Sequence, residues 1–425
     1  MIALIKDFAL WAIYFAGFII LIISISGKVR YGLLFLMFII PMQNVFLKLR
    51  PFPMGNQLND IILIGMLIGW IVCKSSTGAP LFERTSYNKI LFLYAIFTYF
   101  TLWHGSTYLG LPLPLDPADP RVQNWKNYMI LPLLFFVTLN NIRDKKGLKS
   151  LFIFICLVMF LMDRYTVKQV SDITAWWNRT KISGTFVWLG ANEVAAFYAT
   201  YTFVILGVFL YAKNKILKAL LGVLVGLNLY CDMFLFSRGA YLATLAGLFL
   251  IGIMRNKILL IAVILILIFW QSVLPQQVVE RIAYTEQEEG QLDSSAAKRL
   301  NYWQESIEHF KQSPIVGIGY SVTTSIGSQH DTHNLYLRTL AEQGLIGLGF
   351  LLVIMLLALK RGLLLFRKAS DMFFKGLGLG FAACVIAVIV GNFFGDRWTY
   401  IPLGAYFWVF LGMVERGNLL AETGA

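Results

Sequence analysis

Residues 216–254 read ILKALLGVLVGLNLYCDMFLFSRGAYLATLAGLFLIGIM. Two apolar runs, Ile216–Phe236 and Tyr241–Met254, are joined by four residues, one of them Arg238. Each run is close to the length that enters a hydrocarbon core of about 30 Å. A soluble fold would separate two such elements with a polar loop, so the pair reads as a membrane hairpin. A guanidinium at the centre of a membrane helix costs roughly 2.5–3.5 kcal/mol, and less near the interface. Arg238 is therefore either a snorkelling side chain at the outer interface or a clamp for phosphate or pyrophosphate, which arginine binds bidentately. Asp232, near the outer end of the preceding run, is an alternative partner for it.

Similar runs recur in both directions, from Phe8–Ile25 to Tyr400–Val414. The 425 residues are 58% hydrophobic and only 14% charged, too few charges to cover a soluble surface. The expectation is an all-α polytopic membrane protein with about 12 or 13 transmembrane helices, some tilted or borrowing polar flanks. The first run follows Lys6 and Asp7 with no small-residue cleavage site after it, so it reads as a span rather than a removable signal. Cys73, Cys156, Cys231 and Cys384 lie in or at the ends of apolar runs without a C-x-x-C pair, which suits packing rather than metal binding.

Orientation follows from the basic loops. The loops Lys28–Arg30, Lys74–Lys89, Asn141–Lys149, Lys213–Lys218, Arg255–Lys257 and Lys360–Lys375, with the tail from Glu415, hold 20 of 36 basic and 5 of 23 acidic residues. Their net charge is +15, against −2 for the rest, so these loops and the C-terminus are expected in the cytoplasm. The N-terminus is outside if all thirteen runs span, and inside if one does not. The overall charge of +13 is thus mostly a topology signal, and no single basic domain suggests a nucleic-acid partner.

This divides the chain into transmembrane helices with outer loops (1–270, loops at 104–127 and 163–193), an outer helical insert (271–344) and C-terminal transmembrane helices (345–425). The loop at 163–193 carries Arg164, Lys168, Arg179 and Lys181 beside Trp176, Trp177 and Trp188, the make-up of an interfacial aromatic belt. In the insert, Asp293-Ser-Ser caps an amphipathic helix over Ala296–Lys311, with Leu300, Trp303, Ile307 and Phe310 on one face. Ser313-Pro314 ends it, and Gly317-Ile-Gly319 reads as a flexible turn. Asp331-Thr-His-Asn opens a second helix, Leu335–Gln343, closed by Gly344. All four histidines, His104, His309, His330 and His333, fall outside in this topology. His330 and His333 differ from the others in lying where a polar loop meets a helix start.

These residues resemble a known family. Ser237-Arg238-Gly239-Ala240, Ser295-Ala-Ala-Lys-Arg299-Leu-Asn-Tyr-Trp303, Ser313-Pro314-Ile-Val-Gly317-Ile-Gly319, His333-Asn334-Leu-Tyr-Leu and Ala341-Glu-Gln-Gly344-Leu-Ile-Gly347 stand in the order found in the O-antigen ligase and polymerase superfamily. Gly184-Thr-Phe and Ala191-Asn192-Glu193 match it more weakly, and the N-terminal third carries no matching motif.

The resemblance implies a GT-C-like glycosyltransferase without metal or other cofactor, in the bacterial inner membrane with a periplasmic active face. It implies a glycan donor on undecaprenyl pyrophosphate and, in a ligase, the lipid A–core as acceptor. Arg238 and Arg299 would hold the pyrophosphate, and His333 would be the general base. His330, Asn334, Trp303, Glu193, Asp232 and Arg179 are supporting candidates. The chemistry is coherent, because preorganised cations meet the charge of a leaving pyrophosphate and histidine takes a proton near neutral pH. Asp116 and Asp119 are the nearest aspartate pair for Mg²⁺, but their Pro-rich loop suits turns. A polymerase or a protein O-oligosaccharyltransferase shares the same signature. A lipid-linked sugar transporter is a different class, opposed by the lack of internal repeats and of charges deep in the spans.

Overall fold

Every apolar run read from the sequence falls on a helix in a computed structural model, which describes residues 2–173, 175–284, 294–323 and 332–422. In chain order the helices are α1 (Ile2–Ile25), α2 (Val29–Ile39), α3 (Gln43–Leu49), α4 (Leu58–Thr77), α5 (Tyr87–Tyr108), α6 (Pro120–Asn141), α7 (Lys145–Ser171) and α8 (Ala191–Tyr211). Then follow α9 (Lys215–Phe234), α10 (Arg238–Met254), α11 (Lys257–Val273), α12 (Gln276–Ala283), α13 (Ser294–Gln312), α14 (Leu335–Lys368), α15 (Met372–Gly391) and α16 (Ile401–Glu422). The protein is all-α and polytopic. Among the described residues seven helices are long and apolar enough to cross a membrane alone, or nine if α2–α3 and α11–α12, bent by 103° and 97°, are each one span. That count is below the 12 or 13 read from the sequence. Helices α5, α6, α10 and α16 account for the remaining runs but are shorter or more polar, and much of α16 is buried among its neighbours.

Local chemistry sets the helix starts on the basic side. Asp144, Asn214, Asn256 and Asp371 each accept backbone N–H bonds at the first turns of α7, α9, α11 and α15, satisfying donors a helix start leaves orphaned. At the same end Arg361 of α14 grips Glu415 of α16 bidentately, at 2.5 and 2.8 Å. In the centre α8 crosses α15 so closely that a Cβ on Gly207 would lie 2.3 Å from the Gly376 carbonyl oxygen. Small residues permit this approach, the usual device for packing helices in lipid.

The outer insert departs from expectation at several points. Helix α14 breaks at Gly344 (φ +61), so Leu335–Gln343 is a separate outer helix, as the sequence suggested. Gly317–Gly319 is not a flexible turn. Ile318 and Gly319 donate to the carbonyls of Ala341 and Glu342 at 2.8 and 2.9 Å, and Leu345 donates to Pro314 at 2.9 Å. Gly319 (φ +125) lies against Gly105 of α5, where an added Cβ would be 2.0 Å from the Gly105 Cα. Backbone pairing has turned a glycine-rich stretch into a packed junction. The predicted apolar face of α13 is also rotated: Leu300 and Ile307 are 48% and 41% exposed, while Ser306 is buried. The expected loops are shorter, because α5 runs on through His104 to Tyr108, α6 starts at Pro120, and α7 continues past a buried Asp163 to Ser171. Asp293, His330 and Asp331 lie outside the described residues.

Candidate functional site

Helices α8, α10 and α16 begin, and α9 and α15 end, on one side of the molecule, while the basic loops Lys213–Lys218, Arg255–Lys257 and Lys360–Lys375 join their other ends. On the first side lies a cleft lined by five arginines: Arg179, Arg238, Arg281, Arg299 and Arg397. Asn192, Thr200 and Ser237 complete the polar part of the wall, and Gly239 and Ala240 line it beside them. Arg238 is the first residue of α10, so that helix start faces the same cleft. Helix N-termini attract anions through their first N–H groups and the helix dipole.

The orphaned carbonyls at the end of α9 organise two of the arginines. Arg179 donates to Phe236 O at 2.6 Å and to Leu235 O at 3.4 Å, and reaches Asn192 Oδ1 at 3.0 Å. Arg281, from α12, donates to the same Phe236 O at 3.3 Å and lies over the Trp176 ring, 4.8 Å from its centroid. Phe236 adopts a left-handed φ of +53, rare for a residue with a side chain. Such strain persists where surrounding contacts enforce it, and here it turns one carbonyl toward two guanidinium groups. Trp176 thus packs on an arginine instead of joining an aromatic belt.

Burial lowers the pKa of Arg179, and the nearby charges of Arg238 and Arg299 push in the same direction. Arg397 is paired with Glu193 at 2.5 Å. The space enclosed among the side chains is about 30 Å³, room for a couple of waters.

Helix α13 contributes Arg299, and one turn later it docks on the histidine segment. The Trp303 indole donates to Thr332 O at 3.2 Å, and the Ser306 hydroxyl lies 3.4 Å from that of Thr332. His333 follows, with φ +52 and its ring 6.4 Å from that of Tyr302. Asn334 caps the next helix by accepting from Tyr336 and Leu337 N–H at 3.0 and 3.1 Å. Leu335 N–H bonds Asn392 O at 3.0 Å, and Asn392 Oδ1 accepts from Arg397 N–H at 2.8 Å. His333 is therefore tied to the loop that brings Arg397 into the cleft, although it does not line the cleft itself.

Of the candidates, Arg179, Arg238 and Arg299 line this one cleft, and Glu193 lies beside it through Arg397. Trp303 and Asn334 position the backbone around His333. Asp232 turns to α10, where it accepts from the Thr244 hydroxyl at 2.6 Å, and it does not line the cleft. Arg281 and Arg397 were not among the sequence candidates. Their signal was present, since both are basic residues on the side that the charge bias leaves poor in them. Among the described residues no three His, Cys, Asp or Glu side chains form a metal-binding group.

Residues 223–352 match the family model described as O-Antigen ligase. No curated protein matches the chain. The matched stretch runs from α9 into the long part of α14 and holds Arg238, Arg281, Arg299 and His333. Arg179 and Arg397 lie outside it.

Proposed function

We propose, from the match of residues 223–352 to the O-antigen ligase family model, that this protein transfers a glycan from undecaprenyl pyrophosphate to a sugar hydroxyl of the lipid A–core. The observation that carries this reading is the convergence of five arginines on the start of α10. Five guanidinium groups around one helix start offer a pyrophosphate several charge-assisted, bidentate hydrogen bonds.

The acceptor oxygen then bonds to the anomeric carbon, and the bond from that carbon to the pyrophosphate oxygen breaks. The electron pair leaves on the lipid pyrophosphate, whose developing charge Arg238 and Arg299 stabilise. The hydroxyl proton passes to the His333 imidazole. Arg179, Arg281 and Arg397, each anchored to the protein, hold the positive field in place. The active face is the side opposite the basic loops, which positive-inside bias assigns to the periplasm of a bacterial inner membrane. Charge stabilisation by arginine needs no metal, so EDTA is expected to leave transfer unchanged.

A deletion strain decides between a ligase and the polymerase reading. Loss of a ligase strands finished polymer on its lipid carrier. Single repeats attached to the acceptor would instead identify a polymerase, and an unaltered surface glycan would overturn both.

A further inference from the structure

A second cavity, of about 650 Å³, opens on the same side as the arginine cleft. Its walls come mostly from α2, α3, α4 and α6, the part of the chain without family motifs, closed by Trp188, Arg338 and the start of α16. We infer that this groove binds the uncharged sugar rings of a glycan, holding the chain whose end reacts at the arginine cleft.

The lining chemistry sets the ligand class. Asn56 lies in the short turn before α4 and Asn59 in the first turn of α4, and Asn124 and Asn127 lie three apart in the first turns of α6. That spacing puts the α6 pair on one helix face. Each amide offers both a donor and an acceptor, the combination that neighbouring sugar hydroxyls require. Among the described residues these four amides make no side-chain hydrogen bond, and Asn59 Oδ1 is buried without a partner.

Trp188, 53% exposed, stands beside Tyr400 with ring centroids 6.4 Å apart. Such rings offer apolar faces to the C–H faces of sugars. The Trp188 indole is steadied by Gln43 at 3.4 Å, and Gln43 is in turn held by Ile40 O at 2.7 Å.

The charges in the groove are largely matched internally. Lys126 pairs with Asp60 at 2.7 Å, and Arg338 pairs with Asp396 at 2.8 Å and Glu342 at 3.4 Å. Arg50 lies over the Phe46 ring. The groove therefore differs from the cleft, whose wall carries five arginines. An apolar lipid chain would leave the amides unsatisfied, at a cost of about 1–3 kcal/mol for each polar group stranded.

The two cavities share a wall. Arg397 lines the cleft and Thr399 lines the groove, so their Cα atoms are at most about 7.6 Å apart. Trp188 and Asn192 bridge the two in the same way, and Arg338 follows His333 by five residues on the same outer segment. A glycan with its reactive end at the cleft can continue along the groove. That chain belongs either to the donor or to the acceptor, which share this chemistry.

The placement beside a reacting end rests on the transfer reading, whereas sugar binding can be tested alone. The experiment uses purified full-length protein and two lipid-free oligosaccharides, one released by mild acid from the cell's own undecaprenyl-linked glycan and one from its own lipopolysaccharide core. Binding is followed by tryptophan fluorescence, beside transfer assays and binding of inorganic pyrophosphate.

One of the two oligosaccharides is expected to bind, and its origin identifies the source. N124A/N127A should weaken that binding tenfold or more and raise KM for the matching substrate similarly. Its kcat should fall less than threefold, and pyrophosphate affinity should match wild type, which also reports folding. W188A should weaken binding and abolish the fluorescence change. If wild type transfers glycan but binds neither oligosaccharide, or binds one equally well in both variants, the groove assignment is overturned and the transfer reading stands. Sugar binding without transfer would overturn that reading and leave the groove.

Discussion

The arginine cleft and the neighbouring groove sit on the same side of one protein and solve opposite electrostatic problems. In the cleft five arginines crowd about 30 Å³, anchored by helix-end carbonyls and one glutamate. In the groove about 650 Å³ is lined by amides and rings, with most formal charges paired. The first arrangement suits a small, highly charged group whose charge grows during reaction. The second suits a large, neutral, hydroxyl-rich one. The difference teaches that fixing a leaving group and fixing a chain of sugars demand separate surfaces, here within two residues of each other along the loop at Arg397–Thr399.

The largest expected effect removes both regions together. Gly207→Leu forces a side chain into the α8–α15 crossing, where even a Cβ would lie 2.3 Å from backbone. Overpacking of that kind has no soft neighbour to displace, so the purified protein should fail to elute as a single folded species. A monodisperse variant with both binding activities would show that this crossing does not set the geometry.

The next test separates cleft from groove. Arg238→Ala and Arg299→Ala should each lower transfer by roughly 10²–10³, the scale for losing one preorganised charge-stabilising donor, and lysine should restore little because it lacks the planar fork. Pyrophosphate binding should weaken with them, while oligosaccharide binding remains. His333→Ala should fall by about 10², the scale of general-base catalysis, with both bindings retained. Normal turnover in His333→Ala would remove the histidine from the reaction.

The smallest effect concerns support. Trp303→Phe keeps the ring but loses the indole bond to Thr332 O, worth about 1 kcal/mol. Steady-state assays should show kcat lowered roughly fivefold, the rate equivalent of that energy, with KM for donor and acceptor unchanged. A change in KM alone would mean that α13 serves binding rather than the placement of His333.

Much of this was legible from residues in order. Apolar runs mark helices because a chain in lipid satisfies its backbone bonds internally. The break at Gly344 and the helix before it followed from local turn chemistry, and Arg179, Arg238 and Arg299 stood out as cations where the charge bias disfavours them. The orientation of α13 was not legible, because its buried side is chosen by Thr332 and the histidine segment, which its own periodicity does not encode. Gly317–Gly319 read as flexible because glycine's freedom shows in sequence, whereas the carbonyls of Ala341 and Glu342 that pin it are distant along the chain.

Sequence by itself determined that this is a helical membrane protein, which loops share one basic face, and that residues 223–352 match the O-antigen ligase family model. Hydropathy, charge asymmetry and motif order are properties of the chain. Only the tertiary structure joined Arg281 and Arg397 to the cleft, turned Asp232 toward Thr244, and assembled a groove from helices without motifs. Convergence depends on which helix ends meet across the fold. That is settled by packing among residues hundreds of positions apart, as at Glu193 and Arg397, and short-range pattern carries no record of it.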